Sequence, residues 1–138
     1  MFLATVLALL VVGVVVFLHY EVLHMVAMTM PRVHLHHRPK LLLVIGATIA
    51  AHMVEIVIFA FLYLAMEYWL GLGYLTGETE GDIWDFIYFS STSYTTLGFG
   101  DIHPIGPLRI VTAIESLLGL VLITWSASYT YITMREFW

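Results

Sequence analysis

The chain has 138 residues, of which 61% are hydrophobic and only 11% are charged, and its mean hydropathy is +0.94. A soluble domain of this length needs far more polar surface, so the composition predicts a membrane protein. The formal net charge is -5 with only 5 Lys and Arg, which excludes the clustered basic surface of a nucleic-acid-binding protein. No cysteine is present, so disulfides and cysteine-based zinc sites are excluded as well.

The first predicted membrane helix covers residues 1–30. Its apolar part, Phe2–Leu18, approaches the length of about 20 residues that crosses a bilayer as helix, and Pro31 stops the helical pattern. A signal peptide would carry Lys or Arg before such an apolar run, and none is present here. We therefore expect this helix to be retained.

Residues 41–134 form the second predicted unit, which begins with an outer helix over 41–70 and ends with an inner helix over 107–134. Between them, the glycine-rich and acidic stretch 71–82 predicts an outer loop, and 83–95 predicts a short helix. That helix is too short to cross the membrane and is followed by glycines, which indicates a re-entrant segment. Backbone of this kind is tolerated at membrane depth only inside protein or beside water. The pattern therefore predicts a pore or a cavity.

The distribution of basic residues predicts the orientation of the chain. Arg32, Arg38 and Lys40 lie in the loop predicted over 31–40, and Arg135 follows the inner helix. The positive-inside rule places this basic loop and the C-terminus in the cytoplasm. The N-terminus and the re-entrant segment are then expected outside.

The segment 96–101 follows the short helix directly and reads Thr-Leu-Gly-Phe-Gly-Asp. A dehydrated cation needs closely spaced oxygens in place of its water shell, and rings of backbone carbonyls supply them. Such a strand requires alternate residues with unusual backbone angles, and Gly98 and Gly100 allow positive φ without steric cost. The segment therefore predicts a selectivity filter for cations.

This arrangement resembles the pore of potassium channels, which carry Thr-x-Gly-Tyr/Phe-Gly-Asp after a pore helix. Here Thr96-Leu97-Gly98-Phe99-Gly100-Asp101 follows Phe86-Ile87-Tyr88-Phe89, and the phenylalanine form is similar to that of two-pore-domain potassium channels. Over Leu41–Met134 the plan resembles the bacterial two-helix channels, with one extra N-terminal helix. The resemblance implies an all-α membrane protein with three transmembrane helices, a re-entrant pore helix and an extended filter, assembled as a homotetramer.

The resemblance also implies roles for particular residues. The carbonyls that bind K⁺ would be those of Thr96, Leu97, Gly98 and Phe99, in a filter that includes Gly100. The filter would be supported by Asp101, with Tyr88 as its partner, and by Thr95 and Glu115. The cavity and gate would be formed by Gly119, Leu120, Ile123, Thr124 and Ala127.

Two of these assignments leave alternatives. Gly119 matches a hinge glycine of the family, but a small residue for tight helix packing fits as well. Glu115 would brace the back of the filter, for instance against the hydroxyl of Thr92 or Ser93.

Other ionisable residues are candidates for pH sensing. His52 and Glu55 lie within the outer helix three residues apart, so they share a helix face. They form either a satisfied internal hydrogen bond or a proton-sensitive contact that biases gating. His103 follows the filter, and histidine ordinarily changes charge near neutral pH, so external pH sensing is a further hypothesis.

These features predict a channel that conducts K⁺ passively in the bacterial inner membrane, surrounded by lipids. We expect no catalysis, no cofactor, no nucleic-acid partner and no soluble partner. Two alternatives are a non-selective cation channel of the same fold and a non-conducting partner subunit. A third is a membrane metalloenzyme, because a set of histidines faintly resembles the boxes of di-iron hydroxylases. That set is His34, His36 and His37 with His19, His24 and His52.

Overall fold

A computed structural model describes residues 1–32 and 37–137. Its elements, in chain order, are α1 (Phe2–Thr29), a 3-10 turn (Met30–Arg32), α2 (His37–Tyr68), β1 (Tyr74–Gly77), α3 (Ile83–Tyr94), β2 (Ile102–Ile105) and α4 (Leu108–Phe137). Three of these helices, α1, α2 and α4, are long and apolar enough to cross a membrane. The all-α membrane fold predicted from the sequence is confirmed.

The observed α2 is shifted toward the N-terminus relative to the predicted outer helix. It begins at His37 and ends at Tyr68, where 41–70 was expected. Pro39 lies within its first turn, where the N–H that proline lacks would have no helical partner. Gly71, with a φ of 60°, lies just beyond its other end. Within the predicted basic loop 31–40, residues 33–36 lie outside the described part of the chain.

One short strand, β1, occupies Tyr74–Gly77 within the predicted outer loop 71–82, where loop was expected throughout. β1 pairs with β2 as an antiparallel ladder that runs from Tyr74 opposite Ile105 to Gly77 opposite Ile102. Gly77 has a φ of 119°, and a Cβ there would lie 1.9 Å from the carbonyl oxygen of Asp101. The ladder therefore fastens the loop before α3 to the chain just after the predicted filter.

The helix α1 packs against α2 and α4 along one face. The buried residues of this face recur at helical spacing and are Ala4, Ala8, Val15, His19, Leu23 and Val26. Small side chains in such a stripe allow membrane helices to approach closely. The opposite face exposes large apolar side chains such as Leu10 and Phe17, which suits contact with lipid.

The short helix α3 is held between α2 and α4. Its N-terminus is capped by Asp82, whose Oδ1 accepts a hydrogen bond from the backbone N–H of Asp85 at 3.0 Å. Phe86 and Phe89 on this helix are buried in the core, and the ring of Phe89 meets that of Tyr63 edge-on at 5.1 Å. This packing fixes where the last residue of α3, and the segment after it, can lie.

Candidate functional site

The segment that follows α3 has an alternating backbone conformation. Thr96, Gly98 and Gly100 have φ angles of 59°, 51° and 82°. Thr96 is the one residue other than glycine with positive φ among those that the structure describes. This conformation costs an L-residue about 1–2 kcal/mol, and such strain is typical of functional sites. The sequence predicted the two glycines but not the strained threonine.

The N–H groups at the start of this segment are bound to the protein, whereas the carbonyls of 96–99 are free. Leu97 and Gly98 both donate to the carbonyl of Thr92, at 2.8 and 3.1 Å, and Thr96 donates to the carbonyl of Ser93 at 3.0 Å. Within residues 1–32 and 37–137, the carbonyls of 96–99 accept no hydrogen bond. Residues 95–100 are also exposed. Their oxygens are therefore available to bind a cation.

The C-terminus of α3 lies directly before this segment. The unpaired carbonyls at a helix C-terminus carry partial negative charge, which favours a cation nearby. Thr95 follows the last residue of the helix, and its hydroxyl donates to the carbonyl of Ser91 at 2.7 Å. Thr95 thus ties the start of the segment back to α3.

Asp101 and Tyr88 are brought together at the other end of the segment. The hydroxyl of Tyr88 donates to Oδ2 of Asp101 at 2.7 Å. This hydrogen bond holds the pKa of Asp101 below its usual value and raises the pKa of Tyr88. The carbonyl of Asp101 also accepts from the N–H of Glu78 at 2.9 Å. Asp101 is therefore held by both α3 and the loop after β1.

Glu115 is fully buried and lies behind α3, but its predicted partners are wrong. Its two carboxylate oxygens accept hydrogen bonds from Ser90 and Tyr63, each at 2.5 Å. The hydroxyl of Thr92 instead donates to a backbone carbonyl of its own helix at 3.0 Å. Because Ser90 and Tyr63 belong to α3 and α2, Glu115 joins these helices to α4. Ser93, the other predicted partner, accepts through its carbonyl from Ser116 at 2.8 Å.

Gly119 lies where α4 touches the end of α3. A Cβ at this position would be 2.1 Å from the carbonyl oxygen of Tyr94, so the close packing requires glycine. This is the packing alternative that the sequence left open. The other predicted cavity residues are all exposed and recur at spacings of three and four along α4: Leu120, Ile123, Thr124 and Ala127.

A second polar cluster joins all four helices. His52 Nδ1 lies 3.1 Å from Glu55 Oε2 on α2, and His19 Nδ1 of α1 lies 2.8 Å from Glu55 Oε1. The hydroxyl of Tyr94, the last residue of α3, donates to Glu55. Ser126 Oγ of α4 lies 3.0 Å from His52 Nε2 and 3.2 Å from His19 Nε2. We call these five residues the four-helix cluster.

Sequence reasoning predicted the pair of His52 and Glu55 but missed the rest of the four-helix cluster. A signal was available for His19, because it lies in an apolar helix four residues after Val15 and four before Leu23, on one helix face. Nothing in the local sequence marks Tyr94 or Ser126, since both come from other helices.

His103 and His24 lie apart from that cluster. His103 is exposed in β2, opposite Thr76. His24 is exposed on α1, where its ring stacks on that of Tyr20 at 5.9 Å. Of the histidines compared with di-iron boxes, His34, His36 and the side chain of His37 lie outside the described part of the chain. Among the other three members of that set, the structure brings together His19 and His52.

A short helix held between two membrane-spanning helices, followed by a segment with free carbonyls, is typical of the pore of an ion channel. A family model described as "Ion channel" matches residues 43–136. The match covers more than half of the chain, and the protein belongs to this ion channel family. Neither curated proteins nor solved structures gave a match. The matched region starts in α2 and ends in α4, so α1 lies outside it.

Proposed function

We propose that the protein is a potassium-selective channel that conducts K⁺ passively, with 96–100 as its selectivity filter. The observation that supports this most directly is the alternation of positive φ at Thr96, Gly98 and Gly100. It accompanies carbonyls at 96–99 that accept no hydrogen bond within the described residues. K⁺ filters replace the hydration shell of the ion with carbonyl oxygens of this kind.

The pore is assembled from several copies of the chain, because each chain supplies one filter strand and cannot surround an ion alone. Four copies related by rotation would close a ring, as in the potassium channels that the sequence resembles. Two surfaces of the single chain favour this arrangement. The filter is exposed, and so is the face of α4 formed by Leu120, Ile123, Thr124 and Ala127. In a tetramer both would line the pore.

The charges of the chain support an orientation with the filter outside the cell. Arg32 follows α1 and Arg135 lies in the last turn of α4, which places both at the cytoplasmic surface by the positive-inside rule. Acidic residues cluster at the other end, in and next to the loop before α3: Glu78, Glu80, Asp82 and Asp85. A negatively charged mouth raises the local cation concentration.

The reversal potential in a planar bilayer tests the proposed selectivity. Purified protein is reconstituted with potassium on one side and sodium on the other. We expect a reversal potential close to the potassium equilibrium potential. Equal permeation of the two ions would make the protein a non-selective cation channel. Absence of current under all conditions would favour a non-conducting subunit.

The variant Gly98→Ala tests whether the filter backbone carries the selectivity. Gly98 has a φ of 51°, and a Cβ there would meet nothing within 4 Å of its own chain, so within one chain the change acts on backbone conformation. The matched control is Gly71→Ala, which has a φ of 60° and equal space but lies outside the filter. We expect Gly98→Ala to lose discrimination between potassium and sodium and Gly71→Ala to keep it. Equal selectivity in both variants would contradict the assignment of the filter.

A further inference from the structure

The two imidazoles of the four-helix cluster lie between one carboxylate and one hydroxyl. Both Nδ1 atoms face Glu55, at 2.8 and 3.1 Å, and both Nε2 atoms face the hydroxyl of Ser126, at 3.2 and 3.0 Å. Tyr94 contacts Glu55 and also lies 2.9 Å from His52 Nδ1. The cluster is therefore a closed set of six polar contacts.

This set needs one more proton than it holds when Glu55 is ionised and both histidines are neutral. With Glu55 ionised, neutral His19 and His52 each bring one N–H, and Tyr94 and Ser126 each bring one O–H. The six contacts need five hydrogens if the N–H at His52 Nδ1 is shared between Glu55 and Tyr94. The two histidines and the two hydroxyls supply only four. The hydroxyl of Ser126 illustrates the deficit, since it can donate to only one of the two Nε2 atoms.

The charge of the cluster is an independent argument for one additional proton. Glu55 and His19 have no exposed surface and His52 has only a little, and all three lie in segments that cross the membrane. A buried carboxylate without a compensating charge is strongly disfavoured, because it loses its hydration. One added proton makes the carboxylate and its two imidazoles neutral as a group. It also supplies the missing hydrogen.

We propose that His19, His52 and Glu55 together form a binding site for one proton, which fastens α1 to the end of the pore helix α3. The proton belongs to the two imidazoles as a pair, because the contacts allow it to reside on either ring while the ionised Glu55 carboxylate faces both. With it bound, every buried side-chain nitrogen and oxygen of the site has a hydrogen-bond partner. Without it, one contact joins two lone pairs.

The groups that face this site come from every helix packed against it. Tyr94 is the ionisable group from α3, and α4 contributes Ser126 and the ring of Trp125, which is 5.3 Å from that of His19. Glu115, further along α4, faces Ser90 and Tyr63 instead. The distances favour a proton over a metal ion. Ligands about 2.0–2.1 Å from a tetrahedral zinc ion are separated by more than the 2.8 and 3.1 Å seen between imidazole and carboxylate.

An effect on conduction follows, and this part rests on the proposed channel function. Tyr94 is the last residue of α3 and lies two residues before Thr96. Loss of the proton at high pH leaves the buried carboxylate without a compensating charge and one of the six contacts without a hydrogen. The cluster that holds Tyr94 is then less stable, and the support of the filter weakens with it. Potassium current should therefore fall as the pH rises through the titration of this site.

Nitrogen NMR of the histidine rings tests the proton directly and does not depend on conduction. The protein is labelled with ¹⁵N-histidine, placed in lipid nanodiscs and titrated from about pH 5 to about pH 9, the range in which histidine charge changes. We expect His19 and His52 to share one imidazolium at neutral pH. Two neutral rings at that pH would overturn the proposal, as would a stoichiometric zinc ion in the purified protein.

The variant Glu55→Gln tests the proton site by both the ring NMR and the pH dependence of the current. An amide brings its own two hydrogens, so all six contacts are satisfied with both histidines neutral. We expect the imidazolium signal to vanish and the current to lose its fall at high pH. An imidazolium that persists in Glu55→Gln would contradict the shared site.

His19→Gln changes a buried histidine of the site, and His24→Gln is its matched control, because it makes the same change at an exposed position of α1. His24→Gln should retain the shared imidazolium and the fall of current at high pH, and His19→Gln should lose both. A wild-type channel that conducts with no pH dependence would refute the coupling to the filter. A protein without any current would refute the proposed function, while the ring protonation would still decide the proton site.

Discussion

The contact between Tyr88 and Asp101 is the point where single side chains hold the outer end of the filter. The hydrogen bond lowers the pKa of Asp101, so its contribution is present above the usual pKa and is lost as the pH falls through the lowered one. Tyr88→Phe removes the donor and returns the pKa of Asp101 toward its usual value. We expect the potassium current to be lost at a higher external pH in Tyr88→Phe than in the wild type.

Current recorded against external pH measures this shift. Tyr74→Phe removes a hydroxyl from an exposed tyrosine in β1. This control should leave the external pH at which the current is lost unchanged. If Tyr88→Phe instead lost its current at a lower pH than the wild type, this hydrogen bond would not stabilise the ionised carboxylate of Asp101.

Gly119 is a second residue whose role follows from one distance. A methyl group there would lie 2.1 Å from the carbonyl oxygen of Tyr94, and overpacking of this kind costs about 1–3 kcal/mol. Gly119→Ala should therefore lower the thermal stability of the protein in detergent. Gly13→Ala on α1, where a Cβ meets nothing within 4 Å, is the matched control and should unfold at the wild-type temperature. Equal stability of the two variants would favour a hinge role for Gly119 over packing.

At the scale of elements, the β1–β2 ladder connects the loop before α3 to the end of the filter. Gly77 makes this possible, because a Cβ there would lie 1.9 Å from the carbonyl oxygen of Asp101. Gly77→Ala must separate the two strands or move Asp101, so we expect weaker discrimination between potassium and sodium. Reversal potentials measure this effect. Gly71→Ala shares the positive φ without the clash, and a loss of selectivity as large in that control would point to φ strain as the cause.

At the scale of the whole molecule, the proposed tetramer assigns the exposed face of α4 to the pore. The chain has no cysteine, so Thr124→Cys introduces a single thiol on this face. A charged, water-soluble thiol reagent should reduce the current of Thr124→Cys. Leu10→Cys, on the exposed apolar face of α1, should be unaffected because lipid excludes the reagent. Insensitivity of Thr124→Cys would contradict the pore-lining assignment.

The long helices and the positive φ angles of Gly98 and Gly100 were predictable because their signals are local. Long apolar runs of membrane-spanning length mark α1, α2 and α4, and Pro107 marks the start of α4. The filter motif is a contiguous stretch, 96–101, and its glycines indicate positive φ because glycine adopts it without steric cost. The strands β1 and β2 escaped prediction because each has only four residues and the pairing joins segments far apart in the chain.

The sequence by itself determined that this protein spans a membrane, and it predicted the positive φ angles of Gly98 and Gly100 in the proposed filter, since hydropathy and backbone freedom are properties of neighbouring residues. Tertiary structure alone decided which buried polar groups meet. Glu115 bonds Ser90 and Tyr63 rather than Thr92, and His19 reaches Glu55 from 36 residues away. In a membrane core every buried polar group needs a partner, but which partner it finds depends on how the helices pack. That packing depends on contacts between segments far apart in the chain, and a local sequence pattern does not predict such contacts.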